Sequence, residues 1–270
     1  MTADPRFADA VSQDRRGQIT ERLDAIAREE GVRILLAVES GSRAWGFHSP
    51  DSDYDVRFVY ARPVADYLAL TPPRDVIERA IDDDLDIGGW DVSKALKLVA
   101  RGNAVVSEWL SSPILYAEDP GFRSAFEPIA RAWRDLHGDV AHYHGLARRQ
   151  WGSFIEGRQE VRLKKYVIRP AVALQWLREH PNARPPMSLP RLLDKVSLPA
   201  DTAEALEDLR RRKQAAGETV GVGARIPAID AYVGEQMAWA VGAKPAAALR
   251  DPVLWARTED AFRTLIGFEG

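Results

Sequence analysis

The chain has 270 residues, of which 46% are hydrophobic, so it is long enough to form one large domain or two ordinary domains with a packed core. It contains no cysteine, which excludes disulfides, thiolate zinc sites and cysteine nucleophiles. The formal net charge is −3, no run approaches the roughly 20 apolar residues of a membrane span, and no secretory signal is recognised, so we predict a cytoplasmic protein without membrane contact.

The charges are unevenly distributed along the chain. Residues 51–91 contain eleven acidic and four basic residues, whereas residues 148–169 contain seven basic and two acidic ones. An acidic segment and a basic segment in one chain suit metal-binding carboxylates that face a phosphate-binding wall. Solvated helix faces explain the basic segment equally well.

The first predicted elements are a helix and a strand that lead into a glycine-serine turn. An amphipathic helix is predicted near residues 18–30, and Gly31 ends it. Residues 34–38 are all apolar, which is typical of a central strand covered on both faces. The strand delivers the chain to Gly41 and Ser42. The free backbone N–H groups of such a turn, and its hydroxyl, suit a phosphate.

Three further strands are predicted before a helix. Residues 53–60 alternate between apolar and polar side chains, so Asp53 and Asp55 share one face of a strand. The remaining elements are strands over residues 75–81 and 85–90, an acidic turn between them at residues 82–84, and a helix that begins near Ser93.

No strand is predicted after about residue 115. The rest of the chain shows helical patterns over residues 121–135, 138–157, 160–179, 201–216, 228–242 and 253–266. We therefore expect an α+β protein, with a mixed α/β catalytic domain at residues 1–115 and an all-helical C-terminal domain at residues 116–270.

The aspartate pair has the pattern that phosphoryl and nucleotidyl transfer needs. Paired hard cations neutralise charge on the attacked phosphate and on the leaving pyrophosphate, and these cations require oxygen ligands. Asp53 and Asp55 place two carboxylates side by side, close enough to share Mg2+. A third carboxylate usually completes such a site. Asp86 is our candidate, because apolar residues flank it on a strand that could lie beside the first, and Asp91 is the alternative.

The motif resembles a known superfamily. Gly41-Ser42 followed by Asp53-Tyr54-Asp55 is similar to the signature of the DNA polymerase beta nucleotidyltransferase superfamily. More narrowly, the chain resembles a family of bacterial and phage nucleotidyltransferases, some of them encoded beside RNA ligases. The matching segments are residues 41–46, 49–57, 90–94, 102–103, 108–110, 164–170 and 212–213. The chain departs from the family at Ala104, where proline is frequent, and in having several acids that compete for the third carboxylate position.

The resemblance implies a minimal polymerase-beta-like sheet with a helical C-terminal region, and a two-metal, Mg2+-dependent reaction for which Mn2+ is an alternative ion. It implies that Asp53 and Asp55 bind metal and that Asp86 acts as the third catalytic and metal-binding carboxylate. It also implies that the turn holds the triphosphate, through Gly41, Ser42 and Arg43, with Ser52 from the same motif.

Other cations are candidates for nucleotide contacts. Lys94 is near enough in sequence to reach a phosphate, or it is a simple surface cation. Lys165 and Arg169 are four residues apart in a predicted helix, so they form one cationic face that suits a triphosphate or an RNA backbone. These two residues could instead pair with nearby acids.

The leading interpretation is an enzyme that transfers a nucleoside monophosphate from a nucleoside triphosphate, such as ATP, to an unidentified hydroxyl acceptor and releases pyrophosphate. RNA is one candidate acceptor, which would indicate a role in RNA repair. A catalytically silent nucleotide-binding or regulatory module that acts with a protein partner is the alternative.

Overall fold

The structure is a computed structural model, and the residues that it describes are 4–81, 84–162, 166–216, 222–244 and 251–268. The chain forms two compact units. The first, the sheet unit, comprises Met1–Ala44, Asp53–Arg134 and Ala247–Gly270. The second, the helical unit, comprises Trp45–Ser52 and Asp135–Ala246. The segment that separates the glycine-serine turn from the aspartate pair therefore belongs to the helical unit.

A five-stranded sheet forms the centre of the sheet unit. Its strands are β1 (Arg33–Glu39), β2 (Tyr54–Ala61), β3 (Val76–Glu78), β4 (Leu85–Asp91) and β5 (Leu115–Glu118). They lie in the order β3-β4-β2-β1-β5. The pairing of β2 with β4 is parallel, and the other three pairings are antiparallel.

The helices of the sheet unit include those predicted near residues 18–30, from near Ser93, and over residues 121–135 and 253–266, together with short helices that were not predicted. They are α1 (Gln13–Glu30), α2 (Ser42–Trp45), α3 (Val64–Tyr67), α4 (Val92–Ala100), α5 (Val105–Leu110), α6 (Phe122–Ala132) and α12 (Pro252–Ile266), with a short 3-10 helix at Pro5–Phe7. The side chain of Ser12 caps the start of α1, and Gly31 ends it in a left-handed conformation.

The core of the sheet unit explains why β2 alternates. Tyr54, Val56, Phe58 and Tyr60 are buried in one apolar cluster with Ile19, Leu23 and Ile26 of α1. Because successive side chains of a strand point to opposite faces, the odd-numbered residues of β2 point away from this cluster. Asp55 and Arg57 thus lie on the other face of the sheet.

The helical unit has a separate core. Its elements are α7 (Leu136–Phe154), α8 (Arg169–Glu179), α9 (Leu189–Leu193), α10 (Ala200–Ala216) and α11 (Pro227–Trp239), with a two-stranded sheet of β6 (Glu160–Arg162) and β7 (Val222–Ala224). Phe47, from the segment before β2, packs against the buried cluster of these helices.

The predicted α+β class is confirmed, but three predictions about elements are wrong. Residues 115–118 form strand β5, which pairs with β1, although no strand was predicted there. Residues 160–162 and 222–224 form β6 and β7. The helix predicted over residues 160–179 begins only at Arg169. Four-residue and three-residue strands contain too few side chains for a readable alternation, so pairing partners decide their conformation.

The compact units also divide the chain differently from the domain boundary predicted after residue 115. Helices α6 and α12 pack against each other, and both pack against α4. Within this group, the indole N–H of Trp133 donates a hydrogen bond to Thr258 Oγ1 at 2.8 Å. These contacts place residues 122–132 and 252–266 in the sheet unit.

Across the described ranges, no helix is both long enough and apolar enough to cross a membrane.

We predict that Gly89→Ala destabilises the sheet unit. Gly89 is the register partner of Phe58, and a Cβ atom at Gly89 would overlap the phenyl ring. Overpacking of this kind costs about 1–3 kcal/mol in the free energy of unfolding, which urea denaturation measures. The control is Gly17→Ala, in the interior of α1, where a Cβ has no neighbour within 4 Å. That change should stabilise the protein by about 0.5–1 kcal/mol. Equal stability of Gly89→Ala and the wild type would contradict the packing described here.

Candidate functional site

The glycine-serine turn lies directly against the aspartate pair. β1 ends at Glu39, Gly41 follows in the turn, and α2 begins at Ser42. A Cβ atom on Gly41 would overlap the carboxylate of Asp55, so no other residue fits there without moving the carboxylate. The amide of Ser40 donates to the backbone carbonyl of Asp55 at 2.8 Å. The turn and the start of β2 are therefore fixed to each other.

Asp55 and Asp86 are neighbours on adjacent strands. They are register partners in the parallel pairing of β2 with β4, so their side chains lie on the same face of the sheet, on strands about 4.8 Å apart. Each side chain is about one third exposed, at 35% and 34%. Asp53 lies two residues before Asp55, just outside the strand, and is exposed. Three carboxylates thus come from one end of two neighbouring strands.

A guanidinium lies between two of these carboxylates. Arg57 Nη2 is 2.6 Å from Asp86 Oδ2 and 3.7 Å from Asp55 Oδ1. Its Nη1 donates to the backbone carbonyls of Val56, at 2.9 Å, and of Asp86, at 3.0 Å. The carboxylates therefore already share a cation that the chain itself supplies.

A fourth carboxylate lies buried beneath the turn. Glu39 is 0% exposed. Its Oε1 accepts the amide N–H of Asp55 at 2.7 Å, and its Oε2 accepts the hydroxyl of Tyr116 at 2.6 Å. The backbone of Gly41 is a further hydrogen-bond partner of this carboxyl group. Glu39 thus connects the turn, β2 and β5.

Burial raises the pKa of the Glu39 carboxyl group above its usual value of 4.5. The hydrogen bonds from Tyr116 and from the amide of Asp55 oppose this shift, whereas the nearby charge of Asp55 adds to it. Burial, followed by the charge of Glu39, also raises the pKa of Tyr116. The tyrosine hydroxyl therefore remains a hydrogen-bond donor to Glu39 over the physiological range.

Asp91, the alternative third carboxylate, lies at the opposite end of β4. It is five residues from Asp86, which corresponds to roughly 16 Å along the strand. Its Oδ1 accepts the amide N–H of Ser93, so it caps α4, and its Oδ2 accepts the hydroxyl of Tyr67 at 2.8 Å. Asp91 is 2% exposed. Its environment is that of a structural helix cap, and only Asp86 is brought beside Asp55.

Lys94 lies at that same opposite end. It is in the first turn of α4, and its Nζ is 3.0 Å from Asp75 Oδ1. Lys94 is thus part of a surface ion pair at the far end of the sheet from Asp55.

Arg43 is buried rather than open to solvent. Its side chain belongs to α2 and is 4% exposed. The guanidinium donates to the carbonyl of Ala10 at 2.8 Å and stacks on the ring of Tyr54, 3.8 Å from its centroid. These contacts hold α2 against the start of β2. A contact of Arg43 with triphosphate stays a prediction.

The other predicted nucleotide ligands belong to the helical unit or lie outside the described residues. Ser52 is 1% exposed, and its hydroxyl lies 3.0 Å from both the hydroxyl and the amide nitrogen of Ser49. Arg169 is 6% exposed, is the first residue of α8, and donates through Nε to the carbonyl of Met187 at 2.6 Å. Lys165 lies outside the described residues.

The donor set fits a magnesium ion. In the described part of the chain, no three histidine or acidic side chains already form a cluster that could hold a metal. Nevertheless, the candidate ligands are all carboxylates, which are the oxygen ligands that Mg2+ prefers. The position of the Arg57 guanidinium shows that Asp55 and Asp86 already gather around a positive charge. Asp53, Asp55 and Asp86 are the residues that could hold such an ion.

Sequence reasoning missed Glu39 and Arg57. The predicted strand ended at residue 38 and left Glu39 out, yet an acid that directly follows four buried residues is itself a signal of a buried polar role. Arg57 follows Asp55 by two residues, so the alternation that puts Asp53 and Asp55 on one face puts Arg57 there as well.

Comparison with known proteins gives matches over most of the chain. The sequence model of the RNA repair pathway DNA polymerase beta family matches residues 16–264. The chain is also 39% identical over 218 residues to the uncharacterized protein YcgL of Bacillus subtilis (strain 168), a match that covers 80% of this chain and 83% of that protein. The family match includes parts of both the sheet unit and the helical unit.

We predict that Glu39 makes stability depend on pH. Because its pKa is raised in the folded state, the folded protein binds the proton more tightly than the unfolded chain does, so the contribution of Glu39 to stability falls as pH rises above about 4.5. The free energy of unfolding of Glu39→Gln, minus that of the wild type, should therefore increase between acid and neutral pH. Urea denaturation in the presence of a chelator measures this difference.

The matched control for this experiment is Glu78→Gln on β3, whose carboxylate is 69% exposed. It should not reproduce the trend. A difference between Glu39→Gln and the wild type that stays constant with pH would contradict the assigned environment of Glu39.

Proposed function

Because the chain belongs to the RNA repair pathway DNA polymerase beta family, we propose that it is a metal-dependent nucleotidyltransferase. It transfers a nucleoside monophosphate from a nucleoside triphosphate to a hydroxyl group and releases pyrophosphate. The family match confirms the resemblance drawn from residues 41–57. The observation that carries the proposal is the register pairing of Asp55 with Asp86, beside the glycine-serine turn.

The carboxylates have the central role in this proposal. Asp53, Asp55 and Asp86 hold the divalent cations, which when bound neutralise charge on the triphosphate and on the pyrophosphate that leaves. Asp86 Oδ2 is held by Arg57, and its Oδ1 accepts the proton of the attacking hydroxyl. Glu39 acts beneath these groups by fixing the backbone of Asp55 and Gly41.

The turn is the proposed triphosphate ligand. The absence of a side chain at Gly41 lets the turn lie against the carboxylate of Asp55. The triphosphate is proposed to bind at the backbone amide groups where α2 begins, beside these carboxylates. The hydroxyl of Ser42 adds a donor that is half-buried at the same place. Arg43 supports this turn from beneath through Tyr54. Because Lys94 is paired at the other end of the sheet, we leave it out of the proposed site.

An RNA end is the proposed acceptor, and the nucleotide is proposed to be ATP or another nucleoside triphosphate. The support for RNA is the RNA repair pathway that the family description names, together with the basic segment at residues 148–169. In the helical unit, Arg148, Arg149 and Arg158 are exposed, as a phosphate contact requires.

We predict that Asp53→Asn, Asp55→Asn and Asp86→Asn each abolish or strongly reduce turnover. Removal of a metal ligand or of the proton acceptor should lower kcat by about 100-fold or more, as for other acid-base groups. Pyrophosphate release from each labelled triphosphate with Mg2+ measures this effect. Asp91→Asn is the control, because Asp91 caps α4 at the other end of β4 and asparagine also caps helices.

The outcomes separate the alternatives. Full turnover in a folded Asp55→Asn variant would contradict the assignment of the proposed site. Loss of activity in Asp91→Asn with retention in Asp86→Asn would assign the third carboxylate to Asp91. Tight nucleotide binding by the wild type without pyrophosphate release from any triphosphate would favour the catalytically silent module.

We predict that label from the nucleoside monophosphate part of the triphosphate is transferred to RNA. We also expect the affinity of the protein for RNA to fall steeply as the salt concentration rises. RNAs with free and with chemically blocked terminal hydroxyls identify the attacking group. Replacement of both Arg148 and Arg149 by glutamine should weaken RNA binding and reduce its salt dependence. It should not change the rate of pyrophosphate release when water or a small alcohol is the acceptor. Label that accumulates instead in protein or in a small molecule would overturn RNA as the acceptor.

A further inference from the structure

Arg57 is held at the carboxylates by oxygens of both strands. The Nη2 atom approaches Asp86 Oδ2 and Asp55 Oδ1, while Nη1 donates to the main-chain carbonyls of Val56 and Asp86. The two carbonyl contacts fix the guanidinium to the backbone independently of either carboxylate. The register partner of Arg57 is Gly88, which has no side chain to fill this part of the face. The positive charge of Arg57 is therefore held in one position by hydrogen bonds to the backbone.

The location of this charge matters because the proposed metal ligands are the same carboxylates. Two ionised carboxylates on neighbouring strands repel each other, and a cation within about 4 Å of both removes much of that repulsion. A guanidinium does so with directed N–H groups. A divalent cation that binds Asp86 must then share the carboxylate with Arg57 or displace the guanidinium from it.

We propose that Arg57 is the resident counter-cation of the carboxylate site and that it competes with divalent cations for Asp86. This inference rests on the proposed function, because it takes Asp55 and Asp86 as the metal ligands. Arg57 offsets the repulsion between the two carboxylates and holds them close together while no metal is bound. It also weakens the affinity for the metal, so that the ion binds firmly only when the triphosphate adds its own oxygen ligands.

The expected change on removing Arg57 has a definite sign. Arg57→Gln removes a positive charge beside the carboxylates but retains a side chain that can donate to the carbonyls of Val56 and Asp86. Metal affinity without nucleotide should therefore rise. The side chains of Arg57, Asp55 and Asp86 are between 25% and 35% exposed, so solvent screens the effect and about a two- to fivefold increase is expected.

The direct test is Mn2+ binding to the full chain without nucleotide, measured from the electron paramagnetic resonance signal of free Mn2+. Arg57→Gln should bind Mn2+ more tightly than the wild type, and Arg57→Lys, which keeps the charge, should bind it about as the wild type does. Arg79→Gln is the matched control. Arg79 is 24% exposed and lies 3.1 Å and 2.9 Å from two carboxylates, those of Glu29 and Glu30, which are not proposed metal ligands. It should leave Mn2+ affinity unchanged.

Thermal unfolding supplies an independent readout. Without metal, Arg57→Gln should melt below the wild type, because the carboxylates lose their compensating charge. Added Mn2+ should raise its Tm by more than it raises the Tm of the wild type, since only the folded protein binds the ion. Arg79→Gln should also lose stability, but its gain with Mn2+ should equal that of the wild type.

A measurement on the wild type keeps the inference testable if the glutamine variant does not fold. The side-chain Nε–H resonance of Arg57, identified by its absence from Arg57→Lys, should shift when Mg2+ is added, because the guanidinium loses or shares Asp86. If Mg2+ binds and this resonance does not shift, the competition between Arg57 and Mg2+ for the carboxylate of Asp86 is overturned.

The remaining outcomes separate this inference from the proposed function. Equal or weaker Mn2+ binding by folded Arg57→Gln, with binding lost in Asp55→Asn, would overturn the role of Arg57 and leave the metal site standing. An absence of Mn2+ binding in every protein, with and without nucleotide, would overturn both.

Discussion

The candidate site depends on the parallel pairing of β2 with β4. Because the two strands run in the same direction, residues near their amino ends lie side by side, and the register matches Asp55 with Asp86. A shift of the register by one residue would send the carboxylate of Asp86 to the apolar face that packs against α1. Such a shift would also move Ile87 out of the buried apolar cluster to the polar face of the sheet. The packing of the core therefore fixes the geometry of the polar face.

The other fixed element is the turn between β1 and α2. Glu39 is a buried carboxylate that accepts hydrogen bonds from Tyr116 and from the backbone of β2, and burial of such a group is unfavourable without those donors. The same hydrogen bonds hold the turn in one place against Asp55. A preset arrangement suits a site in which charge must be stabilised without reorganisation of the protein. The same reasoning applies to Arg57, which keeps two like charges together through contacts with the backbone.

Much of the sheet unit was predictable from local pattern. The alternation in residues 53–60 and the apolar run at residues 34–38 gave β2 and β1, and Gly31 gave the end of α1. β5 was not predictable, because its four residues acquire a strand conformation only by pairing with β1. Helix α8 begins at Arg169 rather than near residue 160, because residues 160–162 pair with residues 222–224, which are distant in sequence.

The sequence by itself determined which chemistry is available: the glycine-serine turn, two aspartates on one face of a strand, and an acid on a later strand. These follow from residue types and from the two-residue period of a strand, both of which are local. The tertiary structure alone decided which acid stands beside Asp55, because the distance between strands depends on their order and register. It placed Asp86 there and Asp91 at a helix cap, buried Glu39 beneath the turn, and set the guanidinium of Arg57 between the carboxylates.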